Sequence, residues 1–280
     1  MNFRNNVIMK GIGGIMKTNY HTHTKRCGHA VGEDEEYIEN AILANFNILG
    51  FSDHIPYPGL ALKGERMREE EFYQYKESIY YLKEKYQSQI DILFAVEFEY
   101  HDCYSDYLIE IKQQCDYMIC GQHYKELAFH DYGMVCADED VITYSRDIIK
   151  AMDHGFADLV AHPDYFMLGR DHWNSTCEEA SHLICQASSQ YKIPLEINLN
   201  GLRYGKLYYD GSLKHPYPYR EFWQIASLYQ CPVFFGYDAH DPKTLQEEFR
   251  VQQVLEILEG IYLNILEDFD IRRYRSEIKK

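Results

Sequence analysis

Along this chain, short apolar runs rich in β-branched and aromatic residues alternate with longer segments whose apolar positions recur every three or four residues. That alternation predicts βα units and a parallel sheet. The runs place seven strands at 19–22, 47–52, 91–98, 117–120, 159–161, 195–199 and 233–236. Between them, Phe72, Tyr75, Ile79, Leu82 and Tyr86 form one helical stripe, and Ala180, Leu183, Ile184, Ala187 and Tyr191 another. Pro242 suits the first turn of a helix running through Leu245, Phe249, Val251 and Leu255. The acidic runs Glu33 to Glu36 and Glu69 to Glu71 read as first helical turns, where carboxylates meet the positive end of the dipole. With no internal repeat or Gly/Ser/Pro-rich linker, residues 18–280 read as one domain and residues 1–17 as a tail, with Met16 a second candidate start.

Composition narrows the picture. A length of 280 residues suits a single α/β barrel. The formal charge of −16 disfavours a nonspecific grip on nucleic acid or anionic lipid, leaves a small ligand possible and favours a cationic one. The longest apolar stretches, 92–96 and 233–235, fall far short of the roughly 20 residues that a spanning helix needs. Eight scattered cysteines without a C-x-x-C pair fit reduced thiols in a cytoplasm.

The candidate chemistry gathers at the strand ends. Of 13 histidines, His21, His23, His29, His54, His123, His162 and His240 fall at or just after the C-terminal end of an expected strand. Residues two apart in a strand share a side, so His21 with His23, and Asp238 with His240, can face one ion. Glu97 stands directly behind the apolar run 92–96. Each feature has a plain structural explanation, as a cap, a turn or an outward carboxylate, but six strand ends finishing in His, Asp or Glu together point to a metal site. Imidazole and carboxylate donors without thiolate suit Zn, Mn or Fe. The other histidines read as surface or supporting groups, and Cys27 as a buried small residue. Arg170 and Arg203 follow the fifth and sixth strands, on the side where barrel folds carry their reactive loops.

These residues resemble the polymerase and histidinol phosphatase (PHP) superfamily, and within it the histidinol-phosphatase branch, over about residues 20–258. The specific pieces are His21-Thr-His23 with His29, Ser-Asp53-His54, Val-Glu97-Phe-Glu, Gly-Gln-His123, Ala-His162-Pro-Asp, Asn-Gly-Leu-Arg203 and Asp238-Ala-His240. The resemblance implies a distorted (β/α)7 TIM-like barrel with three divalent metal ions, Zn, Fe or Mn. It assigns one ion to His21, His23, Glu97 and Asp238, a second to Glu97, His123 and His162, and a third to His29, His54 and His240. Gln122 before His123, and Tyr237 where the family usually has Ser, depart from its pattern. The implied activity is hydrolysis of L-histidinol phosphate, a small phosphate ester of histidine biosynthesis, by an ion-activated water, with Arg170 and Arg203 clamping phosphate. Asp53 is a candidate proton donor or orienting group, and Asp53, Glu99 and Asp164 are candidates for the substrate's cationic end. Another phosphoester substrate (a nucleotide, a sugar phosphate or phosphotyrosine), or a metal-binding module without catalysis, remains open at this point.

Overall fold

The computed structural model describes residues 16–60, 62 and 64–278, so most of the expected tail lies outside the described residues. Eight parallel strands form one curled sheet in sequential order: β1 (Thr18–Asn19), β2 (Ile48–His54), β3 (Asp91–Phe98), β4 (Tyr117–Cys120), β5 (Leu159–Val160), β6 (Leu195–Asn198), β7 (Pro232–Gly236) and β8 (Asn264–Ile265). The expected βα alternation and barrel class hold. The eighth strand is additional, a two-residue pairing against the start of β7. At the opposite end of β7 its continuation meets that of β1, where Thr22 bridges Ala239 and His23 N donates to Ala239 O at 2.9 Å. This contact draws the sheet into a distorted barrel and brings its first and seventh strand ends side by side.

The helices outside the sheet are α1 (Asp34–Leu43), α2 (Glu69–Tyr86), α3 (Ser105–Lys112), α4 (Asp138–Asp153), α5 (Ser175–Tyr191), α6 (Arg220–Leu228), α7 (Glu248–Ile257) and α8 (Ile271–Ile278). Both acidic runs open helices as expected, and Glu36 reaches back to the Glu33 amide at 2.6 Å. The α2 stripe is buried through Tyr75, Ile79, Leu82 and Tyr86. In α5, however, Leu183 is exposed, and the buried face runs through Cys177, Ala180, Ile184 and Ala187. The single helix expected after Pro242 is two elements. A 3-10 turn, Pro242–Gln246, ends where Glu247 leaves helical geometry (ψ 64°), and α7 then starts in a new phase that leaves Phe249 exposed. No described helix is long and apolar enough to cross a membrane, and all eight cysteines are free thiols.

Strand alternation divides the core into two. Ile92, Phe94, Val96 and Phe98 of β3 face the helices, in the larger apolar cluster. Leu93 and Ala95 face inward and join Tyr20, Tyr117, Ile119, Leu159, Phe234, Phe269 and Ile271 in a second cluster. This inner plug fills the barrel at the strand N-termini, sealed by Tyr20 donating to Phe269 O at 2.6 Å. The next inward residue on β3 is Glu97, so the layer above the plug is polar.

Candidate metal centre

The polar layer is built by the same period of two. Glu97, Glu196 and Asn198 all point inward at the strand C-termini and are fully buried. Inward positions on the neighbouring strands are emptied for them: a methyl group on Gly121 would collide with the Glu97 carboxylate, and one on Gly236 with Glu196. His162 and Asp238 both hold left-handed backbone (φ 26° and 48°), a conformation costly for a side chain and found where surrounding structure enforces it.

Every residue expected as a metal ligand converges here, lining or underlying one cavity of about 210 Å³. His21 Nε2 lies 3.1 Å from His23 Nε2, 3.3 Å from Glu97 Oε2 and 3.5 Å from Asp238 Oδ1. His23 Nε2 lies 3.5 Å from the same Glu97 oxygen and 3.0 Å from the same Asp238 oxygen. Ligands bonded to one ion at about 2.1 Å in a tetrahedron stand about 3.4 Å apart. These four residues therefore have the spacing of one coordination shell. The other Glu97 oxygen, Oε1, faces His162 Nε2 at 3.1 Å and His123 Nε2 at 3.7 Å. His29 and His240 stack with ring centroids 4.7 Å apart, and the His54 ring lies 5.5 Å from His29. His54 also brings Nδ1 within 3.1 Å of Glu97 Oε2.

Glu97 Oε2, Asp238 Oδ1, His54 Nδ1 and His240 Nε2 are buried with no hydrogen-bond partner. Buried polar atoms without partners are costly, and divalent cations satisfy them together. The donor set thus fits a metal centre. Electrostatics agree. Burial works against charge on His21 and His23, yet the carboxylates around them hold both well above the ordinary imidazole range. Burial keeps His54 and His240 well below it.

Three histidines are steered by carboxylates. His21 Nδ1 donates to Glu196 Oε1 at 2.9 Å, His123 Nδ1 to Glu99 Oε1 at 3.1 Å, and His23 Nδ1 to Asp53 Oδ1 at 3.4 Å. In each case Nε2 is left facing the cluster, the usual way an outer carboxylate fixes a ligating imidazole. Glu196 was not singled out from the sequence, although its alternation with Asn198 in β6 marked it as inward.

Several expected substrate contacts are corrected. Asp53 does not line the cavity. Its carboxylate lies behind His23, accepting from Thr24 N at 3.2 Å and His54 N at 2.8 Å, which is an orienting position and not that of a proton donor to a leaving group. Arg170 is turned away, because the 3-10 turn Tyr165–Gly169 sets it against the start of α4, where it donates to Cys136 O at 2.8 Å and Asp138 Oδ1 at 2.7 Å. Asp164 is buried below the site, accepting from Tyr219 N at 2.6 Å and Trp223 Nε1 at 3.0 Å. Glu99 does line the cavity, but both its oxygens are taken by Arg66. Burial alone would raise its carboxyl, whereas Arg66 and His123 hold it at about 2. Arg203 lines the cavity, its guanidinium 4.8 Å over the Tyr204 ring and bonded to the Tyr204 hydroxyl at 2.7 Å. Glu65 and Asp131, which the motifs did not reveal, also line the cavity.

A Deinococcus radiodurans protein named "Probable histidinol-phosphatase" is 25% identical over 231 residues, covering 79% of this chain and 85% of its own. A Lactococcus lactis histidinol phosphate phosphatase, solved with zinc, L-histidinol and phosphate, superposes with a TM-score of 0.68 at 14% identity, covering 91% of this chain and 97% of its own. A Listeria monocytogenes structure also reaches 0.68, at 19% identity, covering 84% of this chain and 99% of its own. These likenesses establish the shared fold. The PHP domain model matches residues 19–200, a stretch that runs from the end of β1 through β6 and holds seven of the nine clustered residues, from His21 to His162, so this chain belongs to the PHP family.

Proposed function

We propose that this chain is a metal-dependent phosphomonoesterase that hydrolyses L-histidinol phosphate to L-histidinol and phosphate. The observation that carries the reading is the division of Glu97, one oxygen facing His21 and His23 and the other facing His162 and His123. Glu97 would thus serve two cations, one held with His21, His23 and Asp238 and the other with His162 and His123, and His29, His54 and His240 would hold a third, with Zn, Fe and Mn all compatible with these donors. Such ions, when bound, neutralise charge on phosphoryl oxygens and lower the pKa of water towards neutrality.

The chain's own residues supply the remainder. Arg203, held flat by Tyr204, offers guanidinium hydrogens to the phosphate oxygens that face away from the cluster. Glu65 and Asp131, bonded by the hydroxyls of Tyr124 and Tyr165, add negative charge to the cavity lining. That charge suits a substrate whose far end carries an ammonium and an imidazole, and it opposes the polyanionic tail of a nucleotide. The name of the Deinococcus relative and the ligands of the Lactococcus structure support the same substrate.

A panel of L-histidinol phosphate, nucleotides, sugar phosphates and a phosphotyrosine peptide, each with and without chelator, tests the reading. Chelator-sensitive turnover greatest on L-histidinol phosphate is expected. Turnover confined to another phosphoester would reject the substrate, and none at all would favour a metal-binding module. E97A and H162A should each lose turnover and bound metal while remaining folded. Normal turnover in both would overturn the assigned centre.

A further inference from the structure

Arg66 is among the most buried charged groups in the molecule, with a side chain 1% exposed. It comes from the connection between β2 and α2 and carries none of the motifs that marked the site. Its fork closes on Glu99, Nη1 to Oε2 at 3.1 Å and Nη2 to Oε1 at 3.0 Å, and Nη1 also donates to Ile55 O at 3.0 Å. The guanidinium lies 5.2 Å from the centre of the Tyr57 ring and 6.0 Å from that of Tyr124. It is thereby held by residues just beyond β2, β3 and β4 together.

A buried ion pair is weak evidence for stability, since desolvating both charges offsets their attraction. This pair does something a hydrophobic pair could not. Glu99 Oε1 accepts from Arg66 and from His123 Nδ1 at once, and that second contact leaves His123 Nε2 facing Glu97 Oε1. Glu196 and Asp53 steer their histidines without any arginine, being held by hydrogen bonds from Asn198 and His162 in one case and Thr24 and His54 in the other. Glu99 stands on the chain just beyond the end of β3, and both its oxygens are held by Arg66.

We infer that Arg66 is a positioning residue for the second ion of the proposed centre, acting through Glu99 to set the His123 ring. The inference rests on the metal-centre reading above. Arg66 Nε is buried without a partner and the residue lines the cavity, so direct contact with substrate is the competing role. The two roles differ in what they move: positioning changes metal affinity, whereas contact changes KM at unchanged metal content.

The test compares the full-length protein with R66A, R66K, E99Q and the R66A/E99Q double variant. It measures zinc retained per chain against chelators of graded strength, and KM and kcat on the best phosphoester of the panel. In R66A one ion should be held roughly 10–100-fold more weakly, with the others unchanged. R66K, which keeps the charge and loses the fork, should fall between R66A and the wild type. E99Q should resemble R66A, and the double variant should be no worse than E99Q, because Arg66 acts only through Glu99. Wild-type zinc retention in R66A, a raised KM with full metal content, or losses that add in the double variant would each overturn the inference. Should R66A fail to fold, R66K and the isosteric E99Q decide, and normal zinc retention in both overturns it. H162A serves as control: if it too keeps every ion, the metal-centre reading has failed and not the role of Arg66 alone.

Discussion

At the scale of single residues, the site depends on which side of each histidine is occupied from behind. Glu196 accepts from His21 Nδ1, from His162 N at 3.1 Å and from Asn198 Nδ2 at 2.8 Å, so all its contacts are with donors. E196Q must turn an amide donor towards one of them. A 10–100-fold loss in metal affinity or turnover is expected, measured by chelator competition, and unchanged affinity would remove Glu196 from the ligand support. Asp164 offers a different test. Burial raises its carboxyl to about 7, well above the ordinary value near 3.9. A carboxyl raised on folding contributes stability that is complete below about pH 4, falls as pH rises towards 7 and is gone above it. D164N, which keeps an acceptor for Tyr219 N and Trp223 Nε1, should flatten that decline, seen as a smaller drop in Tm between pH 5 and 8 than in the wild type. A parallel decline in both would rule out Asp164 as its source. The clustered residues themselves were legible in the sequence because they are His, Asp and Glu at strand ends. Their supports were not. Arg66 reaches Glu99 across 33 residues of chain, and Arg170 pointed to phosphate by sequence position alone, which carries no information on the turn that faces it elsewhere.

At the scale of elements, seven strands were legible, even the two-residue β1 and β5, because each leads into one of the polar candidates. The eighth strand was not, since no candidate residue follows its two residues. The break between the turn at Pro242 and α7 was missed for a related reason. A stripe through Leu245, Phe249 and Val251 shows spacing, while the departure from helix at Glu247 leaves no mark in that spacing. Glycines show how the strands make room for the centre. Gly121 follows β4 and Gly236 ends β7, both facing inward, and in each case the nearest atoms to an added methyl all belong to a carboxylate side chain, Glu97 or Glu196. Such side chains can swing aside, so the fold tolerates the change and the geometry of the centre does not. G121A is therefore expected to stay folded, with an unaltered far-ultraviolet dichroism spectrum, yet to lose metal and at least tenfold in turnover. Full metal content in G121A would mean that the Glu97 position seen here is not needed.

At the scale of the whole molecule, the barrel is an apolar plug with a charged layer above it. That upper layer packs Glu97, Glu99, Glu196 and Asp238 out of water, and of these only Glu99 has an arginine. Without cations the balance falls to imidazole protons. Burial disfavours charge on His21 and His23, but Glu196, Asp238 and Asp53 among others outweigh it and raise both well above the usual range. His54 and His240 are pushed well below that range by burial and are neutral already. Metal must therefore displace protons from His21 and His23, and its affinity should fall as pH falls. Titration of the metal-free protein with zinc in two buffers of different ionisation enthalpy, at neutral pH, should give apparent heats that differ in proportion to the protons released. Equal heats would show that the histidines are neutral before metal arrives. The same linkage reaches stability. Free metal at a hundredfold above Kd adds about 2.7 kcal/mol, which for a chain of this size raises Tm by roughly 5–10 °C. The gain should shrink as pH is lowered, because protons then compete for the same nitrogens. A Tm indifferent to chelator at neutral pH would mean that the charged layer is balanced without metal.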